Sequence, residues 1–176
     1  MTGKSTFYKC RSHFILSPRY SLPEQRCQFV TVGNCTVIND CFNANPVSMR
    51  AALKLLSSCP GHRIAVLGDM LELGENAQEF HRQIGVFVAE KKPDVLICIG
   101  ALSENIALGA LDAGFPNESI TCYPTVDAFL SEEHAFSAGS IVLLKASHGM
   151  SFDRIVQQIN CATDRGRTGS GHQRLF

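Results

Sequence analysis

From residue 63 to residue 159 the chain alternates between short apolar runs and longer segments whose apolar residues recur every three or four positions. The runs are Arg63–Leu67, Val95–Ile99, Ser119–Tyr123 and Ile141–Lys145. Between them the spacing predicts helices over about 76–91, 103–114 and 125–137, with Phe80, Ile84, Phe87 and Val88 on one face of the first. A last helix, begun at Ser151, turns Ile155, Val156 and Ile159 inward. Continuous apolar strands are those covered on both faces, and strands alternating with helices form a parallel sheet. The expected fold class is therefore α/β: an open, doubly wound, mostly parallel sheet with helices on both faces.

Ahead of this alternation, Gln28–Val32 and Cys35–Ile38 flank Gly33-Asn34, which predicts a short β-hairpin preceding the sheet. Asn45 then reads as an N-cap with Pro46 at the first helical position. Met49, Leu53 and Leu56 form that helix's apolar stripe, and Pro60-Gly61 ends it. Ser103, Thr125 and Ser151 read as the caps of the later helices. The organised domain is expected over 26–162. Residues 1–25 show no sustained period and read as a lead-in, disordered or non-native. The Gly/Arg/Ser-rich end from Thr163 to Phe176 reads as a mobile tail. Thr2-Gly3-Lys4-Ser5-Thr6 invites comparison with a P-loop, but no strand and no first glycine stand where that motif needs them.

Sixteen basic and sixteen acidic side chains cancel, which argues against nucleic-acid binding as the main task. Beneath the balance, residues 1–30 carry a net +4, 163–176 a net +2, and 31–162 a net −6. No apolar run approaches the ~20 residues of a membrane span. The eight cysteines form no Cys-x-x-Cys and no paired Cys/His spacing, so a zinc site is not expected. They read as reduced thiols of a cytoplasmic protein, with Cys98 a small buried hydrophobe inside its strand.

In open α/β sheets ligands gather at the carboxyl ends of the strands. The unusual polar loops all fall there: Asn39 to Pro46, Gly68 to Gly74, Gly100-Ala101, and Lys145 to Gly149. Asp40 to Pro46 is either a helix-capping loop or a binding loop. Asn43 stands two residues too early for a cap, and its amide suits a heterocycle edge or a ribose hydroxyl. Asp69 and Glu72 are either a carboxylate pair for acid/base or metal work, or solvated and capping groups. His81 reads as a helix-face histidine or a base. Lys145 closes a buried strand, where an unpaired ammonium is costly, so a protein or ligand partner is expected. Ser147 and His148 offer two members of a nucleophilic triad, but Gly-x-Ser-x-Gly is absent. Gly-x-Gly-x-x-Gly is absent too, so no nicotinamide site is implied.

Val37 to Leu53, with its Asn-Ala-Asn-Pro, Ile64 to Glu75, with Gly-Asp-Met-Leu-Glu-Leu-Gly, His81 with Gly85, and Val142 to Met150 follow one another in an order and spacing that resembles the C-terminal domain of the Mur ligase family. The resemblance runs from about Arg26 to Ile159 and is strongest to the branch that joins D-alanyl-D-alanine to UDP-N-acetylmuramoyl-tripeptide. It implies a Rossmann-like third domain of an ATP-dependent ligase of peptidoglycan precursor synthesis. In that chemistry a terminal carboxylate is phosphorylated and the D-Ala-D-Ala amine attacks the acyl phosphate. ATP and Mg2+ are implied for the parent enzyme, held mainly by a central P-loop domain, and none is expected on these residues alone.

The resemblance also assigns residues. Asn43 and Asn45 match nucleotide-contacting asparagines. Lys145, Ser147 and His148 match a loop near the reacting groups, with Asp69 and Glu72 on the substrate side. Phe42 stands where the family has tyrosine, and Gln25-Arg26 where it has Gly-Arg at the domain entrance. With no P-loop, magnesium ligands or UDP-sugar domain before Arg26, the expectation is a fragment, inactive alone, whose partners are the remaining ligase domains and the two substrates. The alternative is a non-catalytic binding module that reuses the fold.

Overall fold

The computed structural model describes residues 27–164 and 174–175. Its first strands, β1 (Gln28–Val32) and β2 (Cys35–Asn39), are antiparallel and turn at Gly33-Asn34, where Gly33 takes a φ of +56°. The hairpin is not an appendage. β2 is the first parallel strand of the main sheet, and β1 covers its outer edge.

Helix α1 (Pro46–Ser58) follows, then β3 (Arg63–Gly68), α2 (Ala77–Lys91), β4 (Val95–Ile99), α3 (Glu104–Asp112) and β5 (Ile120–Tyr123). The chain then forms α4 (Val126–Leu130), the two-residue β6 (His134–Ala135), β7 (Ile141–Lys145) and α5 (Asp153–Asp164). The six-stranded sheet has the order β1-β2-β7-β3-β4-β5, and every neighbour pair except β1–β2 is parallel. The late strand β7 thus slips between β2 and β3.

Alternation along the strands sorts the core into two halves. Ile38, Leu67, Cys98 and Leu143 face α1, α2 and α3, and pack on Met49, Leu53, Leu56, Ile84 and Val88. Val37, Val66, Ile97 and Leu144 face α4 and α5, and pack on Phe129, Phe152, Ile155 and Ile159. Helices therefore cover both faces, as the strand pattern predicts. The helix after β7 leaves toward one face and those after β2 and β3 toward the other. That divergence opens the sheet's carboxyl edge between β2, β7 and β3, where an open α/β sheet places its ligands.

Several local expectations need correction. The segment after Thr125 is not a helix to Ser137. Thr125 does cap it, accepting from the Ala128 N–H at 3.1 Å, but α4 stops at Leu130 and the His134 ring stacks on Phe129 at 3.8 Å. Ser103 does not cap α3 with its side chain. Its backbone is already helical, and its hydroxyl turns back to the Gly100 carbonyl at 2.9 Å. Ser151 is likewise no N-cap: it adopts a left-handed φ of +54° at the end of a 3₁₀ turn over His148–Met150. Residues 1–25 and the Gln25-Arg26 pair lie outside the described residues. So does most of the tail, although α5 continues to Asp164 and Arg174–Leu175 pairs with β6 as strand β8. Among the described residues no helix is long and apolar enough to cross a membrane.

Candidate functional site

At the carboxyl edge the most constrained group is Lys145. It ends β7, only 1% exposed. Register brings its partner: Asn39 lies beside Leu144, so the next residues, Asp40 and Lys145, meet as the strands end. Lys145 Nζ donates to Asp40 Oδ2 at 2.7 Å and to the Asn43 carbonyl at 2.9 Å. The other Asp40 oxygen accepts the Cys27 N–H at 3.3 Å. A protein partner thus satisfies the buried ammonium, and the lysine ties the β2–α1 loop to the end of β7. Asp40 was not singled out as a site residue from sequence. A buried strand-end lysine and a carboxylate closing another strand were the available signals, but their adjacency depends on β7 being inserted next to β2.

Asn43 and Asn45 divide the same loop. Asn45 is the N-cap expected: its Oδ1 accepts the Ser48 N–H at 2.9 Å, and the Ser48 hydroxyl accepts the Asn45 N–H at 3.1 Å, a full capping box. Asn43 is exposed, and its Oδ1 accepts the Ala44 N–H at 2.8 Å. That bond fixes the rotamer while the amide nitrogen keeps no partner among the described residues. Phe42, also exposed, faces the His148 ring with centroids 6.4 Å apart.

The β3–α2 loop turns its polar groups inward. Asp69 and Glu72 are not a working pair: Asp69 is buried and its Oδ1 accepts the Ser103 N–H at 2.6 Å, whereas Glu72 is exposed at a φ of +63°. Gly100 is required beside Asp69, since its φ is +123° and a Cβ there would strike the carboxylate. His81 is wholly buried on α2. Its Nε2 accepts the Met70 N–H at 2.9 Å and its Nδ1 lies 2.6 Å from the Ala77 carbonyl. An acceptor Nε2 demands the neutral ring with the proton on Nδ1. Burial pushes its pKa below the ordinary 6.5, outweighing the Ala77 carbonyl and the Asp69 charge. His81 is a loop anchor, not a base facing substrate.

Ser147 ties the segment after β7 to the β3–α2 loop. Its hydroxyl accepts the Leu71 N–H at 2.9 Å, and its own N–H donates to the Asp69 carbonyl at 3.0 Å. His148, one residue on, is exposed. The triad reading fails on this geometry, because the Ser147 hydroxyl is spent on backbone and no contact joins it to His148. Among the described residues no group of three or more His, Cys, Asp or Glu side chains could hold a metal ion.

The family model for the Mur ligase glutamate ligase domain matches residues 25–148, which takes in Asn43, Asp69, Lys145, Ser147 and His148. The chain belongs to the Mur ligase family. This Mur ligase domain is 38% identical over 133 residues to the UDP-N-acetylmuramoyl-tripeptide–D-alanyl-D-alanine ligase of Bacillus subtilis, covering 73% of the chain and 29% of that enzyme. It is 32% identical over 142 residues to the ligase of the same name from Buchnera aphidicola subsp. Baizongia pistaciae, covering 79% and 30%. The chain thus spans less than a third of the length of these relatives. A MurF ligase from Thermotoga maritima, solved in complex with ADP, superposes with a TM-score of 0.68 at 20% identity over 85% of this chain and 33% of that one. A MurF structure from Acinetobacter baumannii gives 0.68 at 21% identity over 84% and 31%. Both likenesses are of fold, and they confirm the doubly wound domain. This domain is homologous to the C-terminal part of the D-Ala-D-Ala-adding ligases.

Proposed function

We propose that the domain serves the cytoplasmic, ATP-dependent ligation that joins D-alanyl-D-alanine to UDP-N-acetylmuramoyl-tripeptide, closing its carboxyl edge over nucleotide and incoming dipeptide. The observation that carries this reading is the gathering of Asn43, Lys145, Ser147 and His148 at the ends of β2, β7 and β3, within a chain 38% identical to such a ligase.

Two tiers of residues divide the work. Asn43, Glu72 and His148 are exposed, and they make the direct contacts. Asn43, its Oδ1 held by its own loop, presents an amide N–H to an acceptor on the adenine or ribose of ATP. Asn45 sits at the same helix start, chiefly as the cap that holds Asn43 in place. His148 and Glu72 stand on the D-Ala-D-Ala side. Lys145, Ser147 and Asp69 are buried and already bonded, so they position these loops rather than touch substrate. Tight positioning of this kind is a large part of what such a transfer needs from protein. The 176 residues hold no Gly-x-x-x-x-Gly-Lys-Ser/Thr, so the phosphate cradle and magnesium ligands belong to the rest of the ligase.

The test is a chimera in which residues 26–162 replace the matching segment of the Bacillus subtilis relative. Phosphate release that requires both UDP-linked tripeptide and D-Ala-D-Ala supports the proposal. A chimera that folds and hydrolyses nothing under those conditions favours the non-catalytic module instead. The 176-residue chain alone is expected to release no phosphate above background, and D-Ala-D-Ala-dependent release from it would overturn this division of labour.

A further inference from the structure

The far edge of the sheet holds a pair of thiols for which ligation has no use. Cys98 on β4 and Cys122 on β5 are direct register partners. Neighbouring strands lie about 4.8 Å apart, inside the ~4.4–6.8 Å between Cα atoms that a disulfide bridges. Side chains of paired residues leave a sheet on the same face, so the two thiols stand side by side. Cys98 is 1% exposed beneath α3, while Cys122 is exposed on the outermost strand. One thiol meets solvent and the other waits behind it.

We propose that Cys122 and Cys98 form a dithiol site oxidised by hydrogen peroxide, with Cys122 as the attacking sulfur and Cys98 as the resolving one. The Cys122 thiolate attacks one peroxide oxygen, the O–O bond breaks, and the departing hydroxide takes up a proton as water, leaving a sulfenic acid. The Cys98 sulfur then attacks the Cys122 sulfur, the S–O bond breaks, and a second water leaves with the Cys98 proton. Two thiols and one peroxide give one disulfide and two waters. The S–H of Cys98 bonds the Cys122 sulfur and holds the Cys122 thiol below its ordinary 9.0, although partial burial and the Glu104 charge oppose this. Of two thiols, the exposed one with the lowered pKa is the one that oxidants find first. Burial pushes the Cys41 thiol up to about 12 and also raises those of Cys27 and Cys35. The cross-link would form next to the bond from the Gly100 N–H to the Tyr123 carbonyl, close to the Asp69–Ser103 brace of the binding edge.

The whole chain, treated with dilute hydrogen peroxide, alkylated and digested, should yield a peptide pair joined through Cys98 and Cys122 and lighter by two hydrogens. Cys122→Ser, a change at an exposed position, should abolish that pair while the melting curve stays put. Cys98→Ser should leave Cys122 as a sulfenic acid captured by dimedone; if that variant fails to fold, wild type against Cys122→Ser still decides. Wild-type protein in which Cys98 remains alkylatable after Cys122 has been oxidised would overturn the proposal, as would linkage through other cysteines before this pair.

Discussion

The two loops that meet at the carboxyl edge are built from similar residues and handle them in opposite ways. In the β3–α2 loop Asp69 is buried, as is His81 on the helix that follows, and each accepts a backbone N–H. Of its polar side chains the β2–α1 loop turns Asp40 inward, against Lys145, and it leaves Phe42 and Asn43 in solvent. One loop is a brace and the other a reaching surface. Side-chain type did not distinguish them, since an acid or an amide just past a strand end looks equally catalytic in either loop. The partners of each group did: a donor or acceptor already bonded to backbone in the core has little left for a ligand.

The comparison breaks first at the ion pair that ties the β2–α1 loop to the end of β7. Asp40→Ala leaves the Lys145 ammonium buried and unpaired, and truncating one member of a buried pair costs about 3–5 kcal/mol. Lys145→Ala should cost less, because Asp40 is 18% exposed and can be hydrated while Lys145 is 1% exposed. Urea melts of the two variants read this asymmetry directly. Equal losses would mean that Asp40 does not neutralise Lys145.

Next in size is His81, which tests the brace. Replacing it by alanine leaves the Met70 N–H buried without an acceptor, at about 1–3 kcal/mol. It also carries a pH signature. Because the folded state lowers its pKa from 6.5, the unfolded chain binds more protons between the folded value and 6.5. Its contribution is therefore full above about pH 6.5 and is lost as pH falls toward the folded pKa. Unfolding free energy measured from about pH 7.5 down to about pH 5 should decline more steeply in wild type than in His81→Gln. Parallel declines would remove His81 from the account.

A smaller effect is expected at Ser147. Removing its hydroxyl by Ser147→Ala frees the Leu71 N–H that it holds at 2.9 Å. The loss should be about 0.5–1.5 kcal/mol, with faster hydrogen exchange at Leu71 and none of the activity loss that a nucleophile would show.

Much of this fold could be read from the chain because it rests on local chemistry. The Gly33-Asn34 turn, the Asn45–Pro46 helix start and the apolar strands each declare themselves within a few residues. The errors lie where a distant group competes for a local signal. Ser103 has the chemistry of a cap, but its N–H is claimed by Asp69 and its hydroxyl by Gly100. The helix after Thr125 ends early where His134 stacks on Phe129. At the carboxyl edge, the polar loops were legible and the contacts within them were not. Lys145 visibly needed a partner, but choosing Asp40 requires β7 to lie beside β2. Asp69 and Glu72, close in sequence, diverge because Glu72 takes a left-handed turn and leaves the core.

The exposed tier should show the reverse of all these variants, little stability lost and binding impaired, and Asn43 reports it most directly. In the chimeric ligase, Asn43→Ala should leave the melting midpoint within the ~0.5 kcal/mol expected of a surface change. Losing one hydrogen bond of about 0.5–1.5 kcal/mol should raise the KM for ATP roughly threefold to tenfold. An unchanged KM together with a lowered melting midpoint would make Asn43 one more brace and would contradict the nucleotide-facing edge.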